Sequence, residues 1–155
     1  MVTKNLTQFQ RDLLSVQSIG LDTMCFLYHF ADHPRYSELT EALFSLVEKG
    51  KLKAVTSMVT VAESFVHVEA SGNTQVLHDY EMAFKHNPNV DILPVDWYLA
   101  RLAAKLRANY PKIRTPDALQ LSCTLLKGYR AFVTNDDNLK KVKELKVIVL
   151  DDYLH

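Results

Sequence analysis

Residues 113–136 read IRTPDALQLSCTLLKGYRAFVTND. Pro116 stands where a helix begins, since its missing N–H would be unpaired in a first turn anyway. About a dozen residues of helix then run toward Gly128, a residue suited to closing one. Beyond it, YRAFVTND (129–136) reads as a strand that ends on acids. Helix, glycine and strand make the repeating unit of an alternating α/β chain. Asp117, in the first turn of that helix, is the residue that asks for an explanation.

The same alternation extends in both directions. SVQSIGLD (15–22) is a β-branched run ending on Asp22, and TMCFLYHFAD after it has helical spacing up to Pro34. YSELTEALFSLVEKG (36–50) is an amphipathic helix with Leu39, Leu43, Leu46 and Val47 on one face. KLKAVTS (51–57) is a second strand, and Thr56 or Ser57 caps the helix MVTVAESFVHVEA. Residues 74–86 return to helical spacing after Gly72-Asn73, and NVDILPVD (89–96) is a third strand. Trp97 to Tyr110 is a helix with Leu99, Leu102, Ala103 and Leu106 as its buried stripe. DNLKKVKEL is a short helix, and KVIVLDD (146–152) a fifth strand. Strands alternating with helices predict a three-layer α/β/α sandwich around a central parallel five-stranded sheet. Residues 1–155 read as one domain, with 1–15 as a helical extension packed on its outside.

Composition excludes several classes. Of 155 residues, 48% are hydrophobic and 23% charged, which is the balance of a globular chain. Eighteen basic residues match eighteen acidic ones, so any surface for nucleic acid has to be local. Cys25 and Cys123, the two cysteines, sit singly in apolar segments and read as buried hydrophobes rather than a disulfide framework. No apolar run is long enough for a bilayer, and the N-terminal stretch lacks the charged-then-apolar order of a secretion signal. A cytoplasmic location is expected.

Ligands of open parallel sheets bind beyond the carboxyl ends of the strands. Four acids fall there: Asp22 after the first strand, Glu63 on the helix after the second, Asp117 on the helix entering the fourth, and Asp136 after the fourth. Each has an ordinary reading too. Asp117 favours a helix N-terminus electrostatically, Asp136 suits a turn, and Glu63 can pair with His67. Converging carboxylates repel unless one is protonated or a cation intervenes, and an all-oxygen set suits Mg²⁺ or Mn²⁺.

IGLDTMCFLY, TSMVTVAESF, RTPDALQLSCTLLKG and FVTNDDNL, in this order, resemble the four acidic motifs of the PIN-domain ribonucleases, in particular the VapC-like toxins. The resemblance runs from about residue 16 to 151 and differs in the 21-residue leader before Asp22. It implies a PIN-like sandwich and a metal-dependent endoribonuclease using Mg²⁺ or Mn²⁺. Asp22, Glu63, Asp117 and Asp136 take the catalytic and metal-binding positions, and Thr23 and Thr134 the hydroxyl positions beside them. It further implies an RNA substrate, a homodimer, and a cognate antitoxin whose tail enters the site.

Lys112 and Arg114 precede Asp117, and Lys140, Lys141 and Lys143 follow Asp136; Arg114 and Lys112 are the expected RNA-binding pair. His29 and His33 are spaced for a metal, but Pro34 disfavours helical geometry at His33. A haloacid-dehalogenase-like site needs a second Asp that LDTMC lacks, and four glycines form no phosphate loop. The alternative from another class is a catalytically inactive PIN-fold module that binds RNA or a protein partner.

Overall fold

The computed structural model describes residues 2–154; Met1 and His155 lie outside it. Five strands, β1 (Ser18–Leu21), β2 (Lys53–Ser57), β3 (Val90–Leu93), β4 (Ala131–Thr134) and β5 (Lys146–Val149), form one parallel sheet in the order β3-β2-β1-β4-β5. Helices α1 (Val2–Val16), α2 (Thr23–Phe30), α3 (Ser37–Glu48), α4 (Met58–Ser71), α5 (Thr74–Lys85), α6 (Trp97–Asn109) and α7 (Thr115–Leu126) supply the connections and outer layers. This is the expected three-layer α/β architecture.

The strand residues sort by the pleat, since successive side chains point to opposite faces. Ile19, Leu21, Ala54, Ala131, Val133 and Ile148 point into one apolar cluster with Phe9 and Leu13 of α1, Phe26 of α2 and Leu39 and Leu43 of α3. Phe132 points the other way, toward Ala103 and Leu106 of α6 and Leu121 of α7, and Val55 packs with Leu99 and Cys123. Burial on both faces is why the strands read as short apolar runs rather than alternating ones.

Chain order reverses beside β1: the chain first moves outward through β2 and β3, then returns to lay β4 on β1's free side. Gly20 pairs with Phe132 and Leu21 with Val133, and the Asp22 amide continues the ladder to the Val133 carbonyl at 3.0 Å. The crevice of an open sheet lies at such a switch point. Gly20 sets how closely the covering helix approaches it. A Cβ there would stand 1.7 Å from Thr124 Oγ1 of α7 and 2.8 Å from the Phe132 ring. Only a glycine lets α7, and with it Asp117, lie this near β1.

Several boundaries differ from the sequence reading. Helix α1 runs through Val16, and Gln17 takes φ 65°, so β1 begins at Ser18 rather than residue 15. The fourth and fifth strands are shorter, and Leu150–Tyr153 is a 3₁₀ turn. DNLKKVKEL yields only a 3₁₀ turn over Asp137–Lys141. Ser57 rather than Thr56 caps α4, accepting from Val59 N at 3.1 Å. Among the described residues, no helix is long and apolar enough to cross a membrane.

Candidate active site

Asp22 leaves β1 in extended conformation and caps α2, its Oδ1 accepting from Thr23 N at 2.8 Å. Its Oδ2 accepts from the Thr134 hydroxyl, 2.6 Å away at the end of β4. Adjacent strands thus place a carboxylate and a hydroxyl side by side across the switch point. Asp22 is only 8% exposed. Burial pushes its carboxyl up to about 6, the Thr134 hydrogen bond opposes this, and the charges of Asp117 and Glu63 add to the rise.

Glu63, an exposed residue of α4, accepts at Oε1 from the Thr23 hydroxyl at 2.7 Å. Asp117, in the first turn of α7, lies 3.4 Å from Arg114 Nε through its Oδ2. Burial raises its carboxyl despite that guanidinium, and Asp136 and Glu63 raise it further. Asp136 follows β4 and caps the 3₁₀ turn, accepting from Asn138 N at 3.0 Å, while its own amide donates to Thr134 Oγ1 at 3.1 Å. The four acids lie along one edge of the sheet: Thr23 bonds both Asp22 and Glu63, Thr134 bonds both Asp22 and Asp136, and Asp117 and Asp136 line one cleft.

Among the described residues, no three His, Cys, Asp or Glu side chains stand close enough to form a ligand group as positioned. Each outer carboxylate is turned to a local donor: Glu63 to Thr23, Asp117 to Arg114, Asp136 to Asn138. Arg114 alone, among the described residues, forms an ion pair with any of the four.

Lys112, Arg114 and Lys141 line a cleft of about 290 Å³ with Asp117 and Asp136. Lys140 turns away from it to pair with Asp137 at 2.8 Å and Asp152 at 2.7 Å. The remaining sequence candidates are structural. His29 packs against Phe44 with ring centroids 4.6 Å apart, and burial lowers its pKa. His33 packs against Tyr28 and Tyr36, each 4.9 Å away. Cys25 and Cys123 are free, fully buried thiols whose pKa burial raises, which leaves them inert.

Sequence reasoning passed over Gln120. It is 2% exposed, one turn after Asp117, and joins Thr23, Thr56, Ser57 and Thr60 beneath the acids. The signal was present as Ser and Thr residues set into the apolar stretches of three segments, α2, β2 and α4, since buried hydroxyls need partners.

The model of the PIN domain matches residues 19–145. Among solved structures, the VapBC2 complex of Rickettsia felis, bound to a DNA fragment from its promoter, superposes with a TM-score of 0.66 at 18% identity, covering 85% of this chain and 98% of that one. A toxin–antitoxin complex from Klebsiella pneumoniae gives 0.64 at 19% identity over 86% and 97% of the two chains. FitAcB from Neisseria gonorrhoeae gives 0.64 at 22% over 86% and 97%. A comparison with curated protein sequences gives no match. With the family model spanning most of the sequence and the parallel sheet in agreement, the chain belongs to the PIN-domain family of nucleases.

Proposed function

We propose that this chain is a Mg²⁺- or Mn²⁺-dependent endoribonuclease that hydrolyses RNA phosphodiester bonds, acting as the toxin of a toxin–antitoxin pair. The observation carrying the reading is Asp22: a carboxylate 8% exposed, in the field of two further acids and, among the described residues, paired with no basic side chain. A protein that needed only a capped helix has no reason to bury that charge, because an uncompensated one costs several kcal/mol. The donor set is all oxygen, as a hard divalent cation prefers.

Asp22 and Asp117 are the residues that would hold the ion directly, with Glu63 and Asp136 completing the set. A bound divalent cation supplies the missing counter-charge and the Lewis acidity that phosphodiester hydrolysis uses. Thr134 and the Thr23 amide fix both oxygens of Asp22, so its orientation is set before substrate arrives. Lys112, Arg114 and Lys141, around the adjoining cleft, neutralise phosphates of the strand. Water adds to phosphorus in line with the 3′ oxygen, the P–O3′ bond breaks, and the products carry 5′-phosphate and 3′-hydroxyl ends.

The solved complexes of the VapBC and toxin–antitoxin type support a cognate antitoxin as partner. A second copy is the partner proposed for Trp97 and Tyr98, 79% and 67% exposed at the start of α6. Sedimentation as a monomer at micromolar concentration removes that part of the proposal.

Thermal melting tests the central claim. Millimolar Mg²⁺ or Mn²⁺ is expected to raise the melting temperature by several degrees in the parent and not in Asp117→Asn. No shift in the parent favours the alternative, a catalytically inactive module that binds RNA or a protein partner.

A further inference from the structure

Below the four acids lies a buried polar network whose hydrogens can be assigned by counting donors. Ser57 N, an obligatory donor, reaches Gln120 Oε1 at 3.2 Å. Ser57 Oγ already accepts from Val59 N, so its own hydrogen goes to the same Gln120 oxygen at 2.8 Å. The amide oxygen of Gln120 is thereby fixed toward the end of β2, and its NH₂ faces α2 and α4. That group has two hydrogens and two hydroxyl neighbours, Thr60 Oγ1 and Thr23 Oγ1, the latter at 3.2 Å.

From there the chain runs outward in one direction. Thr60 passes its hydrogen to Thr56 Oγ1 at 2.6 Å, and Thr56 passes its own to the Leu21 carbonyl at 3.0 Å. Thr23, accepting from Gln120, has one hydrogen left; Thr60 Oγ1 is 3.2 Å away and Glu63 Oε1 2.7 Å, and the nearer, charged acceptor takes it. Every donor in the network has an acceptor. Reversing the Gln120 amide would set its NH₂ against Ser57 N–H and leave that buried backbone donor without an acceptor, which fixes the orientation of the amide.

We infer that Gln120 is a positioning residue: by donating to Thr23 it turns the Thr23 hydroxyl hydrogen toward Glu63 and so holds that acid at the metal-binding edge. The inference deepens the proposed nuclease reading and rests on it for its consequence, though not for its geometry. Glu63 is the one acid of the four that is exposed and lies on a helix side rather than next to a strand end. Among the described residues, the Thr23 hydroxyl is the only hydrogen-bond donor to its long side chain. Gln120 directs that donor from the same helix that carries Asp117, three residues earlier, so α7 places one acid directly and a second at a distance.

The test is a double-mutant cycle in two settings. In metal-free solution containing EDTA, urea unfolding is measured for the parent, Gln120→Met, Glu63→Ala and the double variant. The pair is expected to couple: the double variant's unfolding constant departs from the product of the single effects by roughly fivefold, the size of one such hydrogen bond. A residue that merely fills space below the site gives multiplicative effects, and that result overturns the inference. Gln120→Glu at pH 8 provides a second arm, and carries the cycle if Gln120→Met does not fold. Its carboxylate takes the Thr23 hydrogen away from Glu63 and adds a like charge, so Glu63→Ala becomes stabilising in that background. Mn²⁺ titration forms the second setting, where Gln120→Met is expected to weaken binding about tenfold and to have no further effect once Glu63 is Ala. Metal-free coupling in a parent that binds no Mn²⁺ upholds the inference and removes the nuclease reading. Mn²⁺ binding with multiplicative effects upholds the nuclease reading and removes the inference.

Discussion

On the β1–α2 side of the acidic edge, Asp22 and Thr23 are 8% and 4% exposed, and each polar atom named there has an assigned partner reaching back into the fold. Across the crevice, Asp117 and Asp136 are half-buried and face a cleft shared with Lys112, Arg114 and Lys141. Arg114, the partner of Asp117, is 76% exposed along its side chain. One side is rigid and short of positive charge; the other is open and supplied with it. Burial without compensation makes the first side a demanding place for a cation, while the second can exchange surface side chains for a substrate's phosphates at little cost.

Asp22→Asn should separate the two sides most strongly. The carboxyl titrates near 3.8 when unfolded and about 6 when folded, so its contribution to stability is fully present below pH 3.8 and lost as pH rises through 6. Above that pH the metal-free fold carries a buried charge costing about 3 kcal/mol. Asparagine caps a helix as well as aspartate does. The variant is therefore expected to be more stable than the parent by about 2–3 kcal/mol in EDTA at pH 7.5, with the gain shrinking toward pH 4. Urea unfolding at several pH values measures this. Cleavage in Mg²⁺ is expected to be abolished in the same protein. A variant less stable than the parent at pH 7.5 would mean that Asp22 is already compensated, and the contrast between the two sides would fall.

Arg114→Ala probes the open side, and its effect is smaller. The exposed ion pair contributes little, so stability should change by less than about 0.5 kcal/mol. RNA binding is the sensitive readout. Loss of one phosphate contact should lower the slope of log affinity against log salt by roughly 0.7. An unchanged slope would assign the phosphates to Lys112 and Lys141 or to another face.

The strand and helix order was legible because both faces of the sheet are covered, which leaves compact apolar runs between helical stripes. Boundaries were less so. Val16 belongs by composition to a strand, yet it ends α1 because Gln17 turns through a left-handed conformation. The four acids could be located by their place at strand ends, since topology carries each to the same edge. Their partners could not. Thr134 bonds Asp22 only because β4 returns beside β1. Gln120 reads in sequence as an unremarkable helix former. Its role comes from hydroxyls on β2, α2 and α4, which meet only after folding. Lys140 and Lys141 look alike in the sequence, but one is committed to Asp137 and Asp152 while the other lines the cleft.

The pairing of β1 with β4 also sets a timetable. Gly20 meets Phe132 across most of the chain's length, and closing so long a loop yields no contacts until it is complete. A chain growing from its N-terminus makes Asp22 and Glu63 well before the helix and strand that bring Asp117 and Asp136 beside them. Partly made chains thus hold two acids apart from their companions. The cluster comes into being only when β4 is laid beside β1.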